Sequence, residues 1–271
     1  MPFARAADLV VHYAVDGAGA SLHPDAPVVM LANSLGTSFP MWDAQVVELA
    51  RSHRVLRYDM RGHGLTDTTP SGDGRAVTIA RLADDAVALL DALAIGRVHF
   101  IGLSIGGMVG QRVAAHYPER VESLVLCATG SRIGTAAGWN ERIATVESEG
   151  LAAIADAAML RWFTDRARAE RPELVRGFAN MLTRTPVSGY VGGCAAVRDA
   201  DLRADDARIR CRTLVVAATE DPTTTPAMGA EMRDTIPSAE LLVLDAASHM
   251  LCAERPEATN AALLRFLEGG R

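Results

Sequence analysis

The chain has 271 residues, 49% of them hydrophobic and 22% charged, the proportions of a globular protein with a sizeable core. Its net charge of −6 disfavours nonspecific attachment to nucleic acid or to an acidic membrane surface. All 27 basic residues are arginine, which excludes a Schiff-base lysine, a pyridoxal-phosphate lysine and a P-loop lysine together.

In chain order, the N-terminus lacks a charged start followed by a long apolar region, so no signal peptide is expected. No apolar run reaches the length of a membrane span, and the expected location is the cytoplasm. Residues 9–15 alternate as an antiparallel strand does, and 17–27 read as turn and loop. Residues 28–32 are a continuous apolar run, the pattern of a strand buried on both faces. The spacing predicts a helix over 41–51, a strand over 55–58 and a helix over 79–93. A strand at 98–101 and a helix from Gly107 follow, then a strand at 121–126.

From 133 to 210 the rhythm changes to Ala- and Arg-rich helical sequence broken by Gly and Pro. Strands resume at 213–217 and 240–244, followed by helices over 228–234 and 256–267. This alternation predicts an α/β protein with a mostly parallel sheet covered by helices on both faces. The expected division is a core of residues 1–132 and 211–271, with 133–210 inserted as a helical cap over the strand ends. Cys127, Cys194, Cys211 and Cys252 are widely spaced near apolar stretches and read as buried thiols in a reducing compartment.

The chemistry centres on Gly102-Leu103-Ser104-Ile105-Gly106, which joins a strand to a helix. That context separates a nucleophile elbow from a chance G-x-S-x-G match. A serine hydroxyl needs a base, and an imidazole base needs an orienting carboxylate. In hydrolases built on this elbow the order along the chain is Ser, acid, His. Only His116 and His249 follow Ser104. His116 reads as a helix-end residue, whereas His249 follows the last strand, where sites on open α/β sheets lie. Asp221 follows the 213–217 strand and precedes a proline that fixes its turn, with adjacent Glu220 as its rival. The Ile105 N–H at the helix start and the Leu35 N–H in the loop after 28–32 are the expected oxyanion donors. Asp59 and His63 offer too few ligands for a metal site, and the loop holding them reads as structural.

These residues resemble the α/β-hydrolase superfamily and, within it, the 3-oxoadipate enol-lactonase family of aromatic catabolism. The resemblance runs through Leu31 to Thr37, Tyr58 to Gly64, Gly102 to Met108, Thr129 to Thr135, Thr219 to Thr223, Ser248 to Met250 and Glu254 to Glu257. Ala218 and Arg212 depart from it, standing where glycine and proline are common in the family. It implies an α/β-hydrolase fold, a Ser104–Asp221–His249 triad, no cofactor, and hydrolysis of 3-oxoadipate enol-lactone through a serine acyl-enzyme. The alternatives are a broad carboxylesterase or perhydrolase, a carbon–carbon bond hydrolase of a ring-cleavage pathway, and a non-catalytic ligand receptor of the same fold. The expected partner is a small lactone, with neither nucleic acid nor membrane. An anionic substrate on an acidic protein needs a local cation, and here only arginine can supply it. Arg132 at the cap entry is the expected clamp, Arg198 its rival, and Trp139 the expected wall against the ring.

Overall fold

The computed structural model describes residues 2–17, 26–68 and 77–269. Residues 18–25 of the expected 17–27 loop lie outside the described residues. Eight strands form one sheet in the order β1-β2-β4-β3-β5-β6-β7-β8. They are β1 (Phe3–Ala6), β2 (Leu9–Asp16), β3 (Val28–Ala32), β4 (Arg54–Tyr58), β5 (Val98–Leu103), β6 (Val121–Cys127), β7 (Arg212–Ala218) and β8 (Ala239–Leu244). The β1–β2 and β2–β4 pairs are antiparallel, and every later pair is parallel.

The central strands follow from their composition. All five residues of β3 are buried, as an apolar run between two helical layers must be. Strand β8 departs from expectation. It reads as buried in the sequence, yet only Leu244 of its six residues is buried, because β8 is the sheet's edge and has β7 on one side alone.

Helices α1 (Asp43–Leu49), α2 (Ile79–Ala92) and α3 (Ile105–His116) connect the first strands. Helix α2 buries Ile79, Leu82, Ala83, Ala86 and Leu90 along one stripe, and the Thr78 hydroxyl caps its start by accepting from the Arg81 N–H. Between β6 and β7 the described chain forms helices joined by loops, with no strand. It forms α4 (Ala136–Glu149), α5 (Ala152–Trp162), α6 (Asp165–Glu170), α7 (Pro172–Thr183), α8 (Val187–Arg198) and α9 (Arg203–Asp206). Helices α10 (Pro226–Thr235), α11 (Leu251–Glu254) and α12 (Pro256–Glu268) complete the molecule. Three cysteines are buried, Cys211 is half-buried, and all four are free thiols. Among the described residues no helix is long and apolar enough to cross a membrane.

Candidate active site

Ser104 occupies a one-residue turn between the end of β5 and the start of α3, with φ 57° and ψ −119°. A non-glycine residue adopts that conformation only where its surroundings hold it there. The Ser104 N–H donates to the Cys127 carbonyl at 3.0 Å, and the Thr129 hydroxyl donates to the Ser104 carbonyl at 2.7 Å. The flanking glycines allow the close approach. A Cβ on Gly102 would stand 2.1 Å from the Gly106 carbonyl oxygen, and one on Gly106 would stand 2.3 Å from that of Ala32. Ile105 begins α3, so its N–H belongs to the first turn, which has no intrahelical acceptor.

Asp221 and His249 lie beyond the carboxyl ends of β7 and β8. His249 Nδ1 is 2.8 Å from Asp221 Oδ2, and both side chains are buried. Asp221 Oδ1 accepts from the Thr223 and Thr224 N–H groups at 2.7 and 3.0 Å, and Oδ2 accepts from the Thr224 hydroxyl at 2.5 Å. Burial alone would raise the Asp221 carboxyl. The charge and hydrogen bond of His249 and the Thr224 donors outweigh burial and hold it below the usual carboxylate value. Glu220 is exposed, and only its backbone faces this cluster, accepting from the Ser248 hydroxyl at 3.1 Å. His116 sits at the end of α3, 2.9 Å from Asp205.

Ser104 and His249 line one cavity together with Ser34 and Leu35 of the loop after β3. Trp139 and Arg142 of α4, Arg161 and Trp162 of α5, and Tyr190 of α8 complete the wall from the other side. Trp139 donates its indole N–H to the Ile133 carbonyl at 2.7 Å, and the Arg142 guanidinium lies 4.7 Å from its ring centre. Burial lowers the Arg161 pKa, and the Arg142 charge lowers it further. Among the described residues neither Arg142 nor Arg161 is ion-paired with a carboxylate.

Arg132 is not among these lining residues. It is exposed, and its charge acts on Asp201. Arg198 is engaged by Asp199 at 2.7 Å and by Asn140 at 2.8 Å. The 59–64 loop is held by its own contacts. Asp59 accepts from the Phe39 and Leu65 N–H groups, and Arg61 grips Asp85 through two 2.7 Å bonds. Among the described residues no group of three His, Cys, Asp or Glu side chains could hold a metal.

Residues 27–256 match the family model described as the alpha/beta hydrolase fold. The chain is 38% identical over 258 residues to 3-oxoadipate enol-lactonase 2 of Acinetobacter baylyi, covering 95% of this chain and 93% of that one. It is 31% identical to a putative carbamate hydrolase of a Caulobacter species, covering 96% of both. The crystal structure of the enol-lactonase from Burkholderia xenovorans superposes with a TM-score of 0.94 at 37% identity, covering 98% of this chain and all of that one. The nucleophile elbow, the strand-end positions of Asp221 and His249 and these likenesses agree: the chain belongs to the alpha/beta hydrolase fold family.

Proposed function

We propose that this protein hydrolyses 3-oxoadipate enol-lactone to 3-oxoadipate, the ring-opening step of the β-ketoadipate route, through a serine acyl-enzyme. The observation that carries the reading is the Arg142–Arg161 pair. Among the described residues Arg142 and Arg161 make no ion pair with a carboxylate, and both line the cavity that holds Ser104, an arrangement suited to a small ester bearing a free carboxylate. The related enol-lactonases, at 36 and 38% identity over most of the chain, support the same substrate.

In this reading His249 takes the Ser104 proton as the hydroxyl attacks the ring carbonyl. Asp221 holds the imidazole by the 2.8 Å contact to Nδ1 and stabilises its charged form. The Ile105 and Leu35 N–H groups receive the developing oxyanion, a contribution of about 3 kcal/mol per donor in comparable sites. The bond that breaks is the ring C–O ester bond, and the departing enolate takes a proton and becomes the ketone. Water activated by His249 then cleaves the acyl-enzyme and frees Ser104. No step calls for a cofactor. Residues 133–210 act as a cap over the core formed by 1–132 and 211–271, and Trp139 walls the lactone ring. The expected setting is the cytoplasm.

The deciding assay follows the ultraviolet absorbance of the enol-lactone beside a neutral aryl acetate. A kcat/KM well above that for the aryl acetate supports the lactonase reading. Preference for the neutral ester would make the protein a general carboxylesterase.

A further inference from the structure

The turn that carries His249 is fastened to the helical segment between β6 and β7 at several points. The Met250 N–H donates to the Trp162 carbonyl at 2.9 Å. The Ser248 hydroxyl lies 2.9 Å from the Arg161 carbonyl. Glu254, at the end of α11 and 6% exposed, joins the two sides through its carboxylate. Its Oε2 accepts from the Ser248 N–H at 3.0 Å. Its Oε1 accepts from the Thr164 N–H at 3.3 Å and from the Thr164 hydroxyl. That hydroxyl is oriented because its oxygen already accepts from the Ala167 N–H at 3.2 Å, capping α6. Arg171 adds a further tie, donating to the Ala253 carbonyl at 3.0 Å.

We infer that Glu254 is a positioning residue for His249, its carboxylate locking the histidine turn to the 161–164 segment that presents Arg161 and Trp162 to the cavity. Three donors converge on Glu254: two backbone N–H groups and one hydroxyl whose oxygen is already used. Only a carboxylate accepts from all of them, because an amide would turn its NH₂ against one N–H. Shortening or deleting the side chain removes the acceptor of the Ser248 N–H, in the residue immediately before the base. Misplacing a catalytic group by about 1 Å costs on the order of 10²-fold in rate. The same two residues, Arg161 and Trp162, line the cavity with their side chains and meet Ser248 and Met250 with their carbonyls.

The inference rests on the triad reading, and the test separates the two. Ser104→Ala, Glu254→Ala and Glu254→Gln are assayed on a neutral aryl acetate, with thermal unfolding of each variant. The expected result is a graded loss of kcat, about 10²-fold for Glu254→Ala and smaller for Glu254→Gln, which keeps one arm of the bridge. KM for the small ester stays within about threefold, because His249 acts on the barrier rather than on binding. Glu254→Gln, nearly isosteric, keeps the question open to test if Glu254→Ala does not fold. If kcat of a folded glutamine variant stays at the parent value while Ser104→Ala is inactive, the inference is overturned and the triad stands. An equal rise in KM and fall in stability, without the kcat gradient, also overturns it by making Glu254 a purely structural residue. An active Ser104→Ala overturns the triad reading itself, and with it this role for Glu254.

Discussion

Gly62 and Gly189 meet backbone to backbone. A Cβ on Gly62 would stand 2.5 Å from the Gly189 Cα, and a Cβ on Gly189 would stand 1.9 Å from the Gly62 carbonyl oxygen. Gly62 lies in the loop after β4 and Gly189 in the first turn of α8, so this contact seats α8 directly on the core. Tyr190, the next residue, lines the cavity that holds Ser104.

Replacing Gly189 by alanine should therefore push α8 away and cost about 1–3 kcal/mol, the usual range for overfilling a packed contact. The denaturant midpoint should fall at constant slope, and KM for the enol-lactone should rise as Tyr190 shifts. An unchanged midpoint would mean that the seam yields without cost.

For the triad, Ser104→Ala should lower kcat by about 10³-fold or more in a folded protein. Asp221→Asn should lower it on the order of 10⁴-fold, through loss of the correct histidine tautomer. Glu220→Gln, on an exposed side chain, should leave kcat near the parent value. Steady-state kinetics on the three variants settle the acid, and a larger effect at Glu220 would reverse the assignment.

The arginine pair predicts a substrate split. Arg142→Met and Arg161→Met should each raise KM for the enol-lactone roughly tenfold, about 1.4 kcal/mol, and change the neutral ester little. Arg132→Met should match the parent on both. Equal losses on both substrates would assign the cavity arginines a packing role instead.

Two buried carboxylates give stability opposite pH slopes. Among the described residues Asp206 has no cationic partner; its Oδ2 accepts from the Ser131 hydroxyl at 2.5 Å, and its Oδ1 has no hydrogen-bond partner. Burial pushes its carboxyl up to about 6, the Ser131 bond opposes this, and the Asp205 and Asp201 charges add to the rise. Its contribution to stability is therefore complete below the unfolded value near 4 and is lost as pH rises through about 6. Asp206→Asn should raise Tm at pH 7–8, by up to about 3 kcal/mol in stability, and change it little at pH 4. Asp221 runs the other way. Its folded value lies below the ordinary one, so its contribution is present above about 4 and is lost as pH falls through the folded value. Melting curves from pH 4 to 8 test the Asp206 slope, and an asparagine variant no more stable at pH 8 would refute it.

The sequence was most legible where burial acts on both faces of a strand or where a motif fixes a position at a strand's end. Strand β3 and the Ser104, Asp221 and His249 positions are of this kind. Strand β1 escaped notice because four residues containing Arg5 and two alanines, paired on one side only, carry no apolar alternation. Arg142 and Arg161 escaped because only the packing of α4 and α5 across the site decides which arginines face inward. A signal was present: Arg142 follows Trp139 by one helical turn, and Arg161 adjoins Trp162. Glu254 lies within a recognised stretch, but its role depends on Thr164, 90 residues away in the chain, and no local pattern reports that contact.

The cavity over Ser104 takes its walls from stretches far apart in the chain, Ser34 and Leu35 after β3 on one side and Trp139, Arg142, Arg161, Trp162 and Tyr190 from α4, α5 and α8 on the other. Changes to either wall therefore act on the same small space, and paired substitutions drawn from the two sides should depart from additivity where those made at distant sites do not.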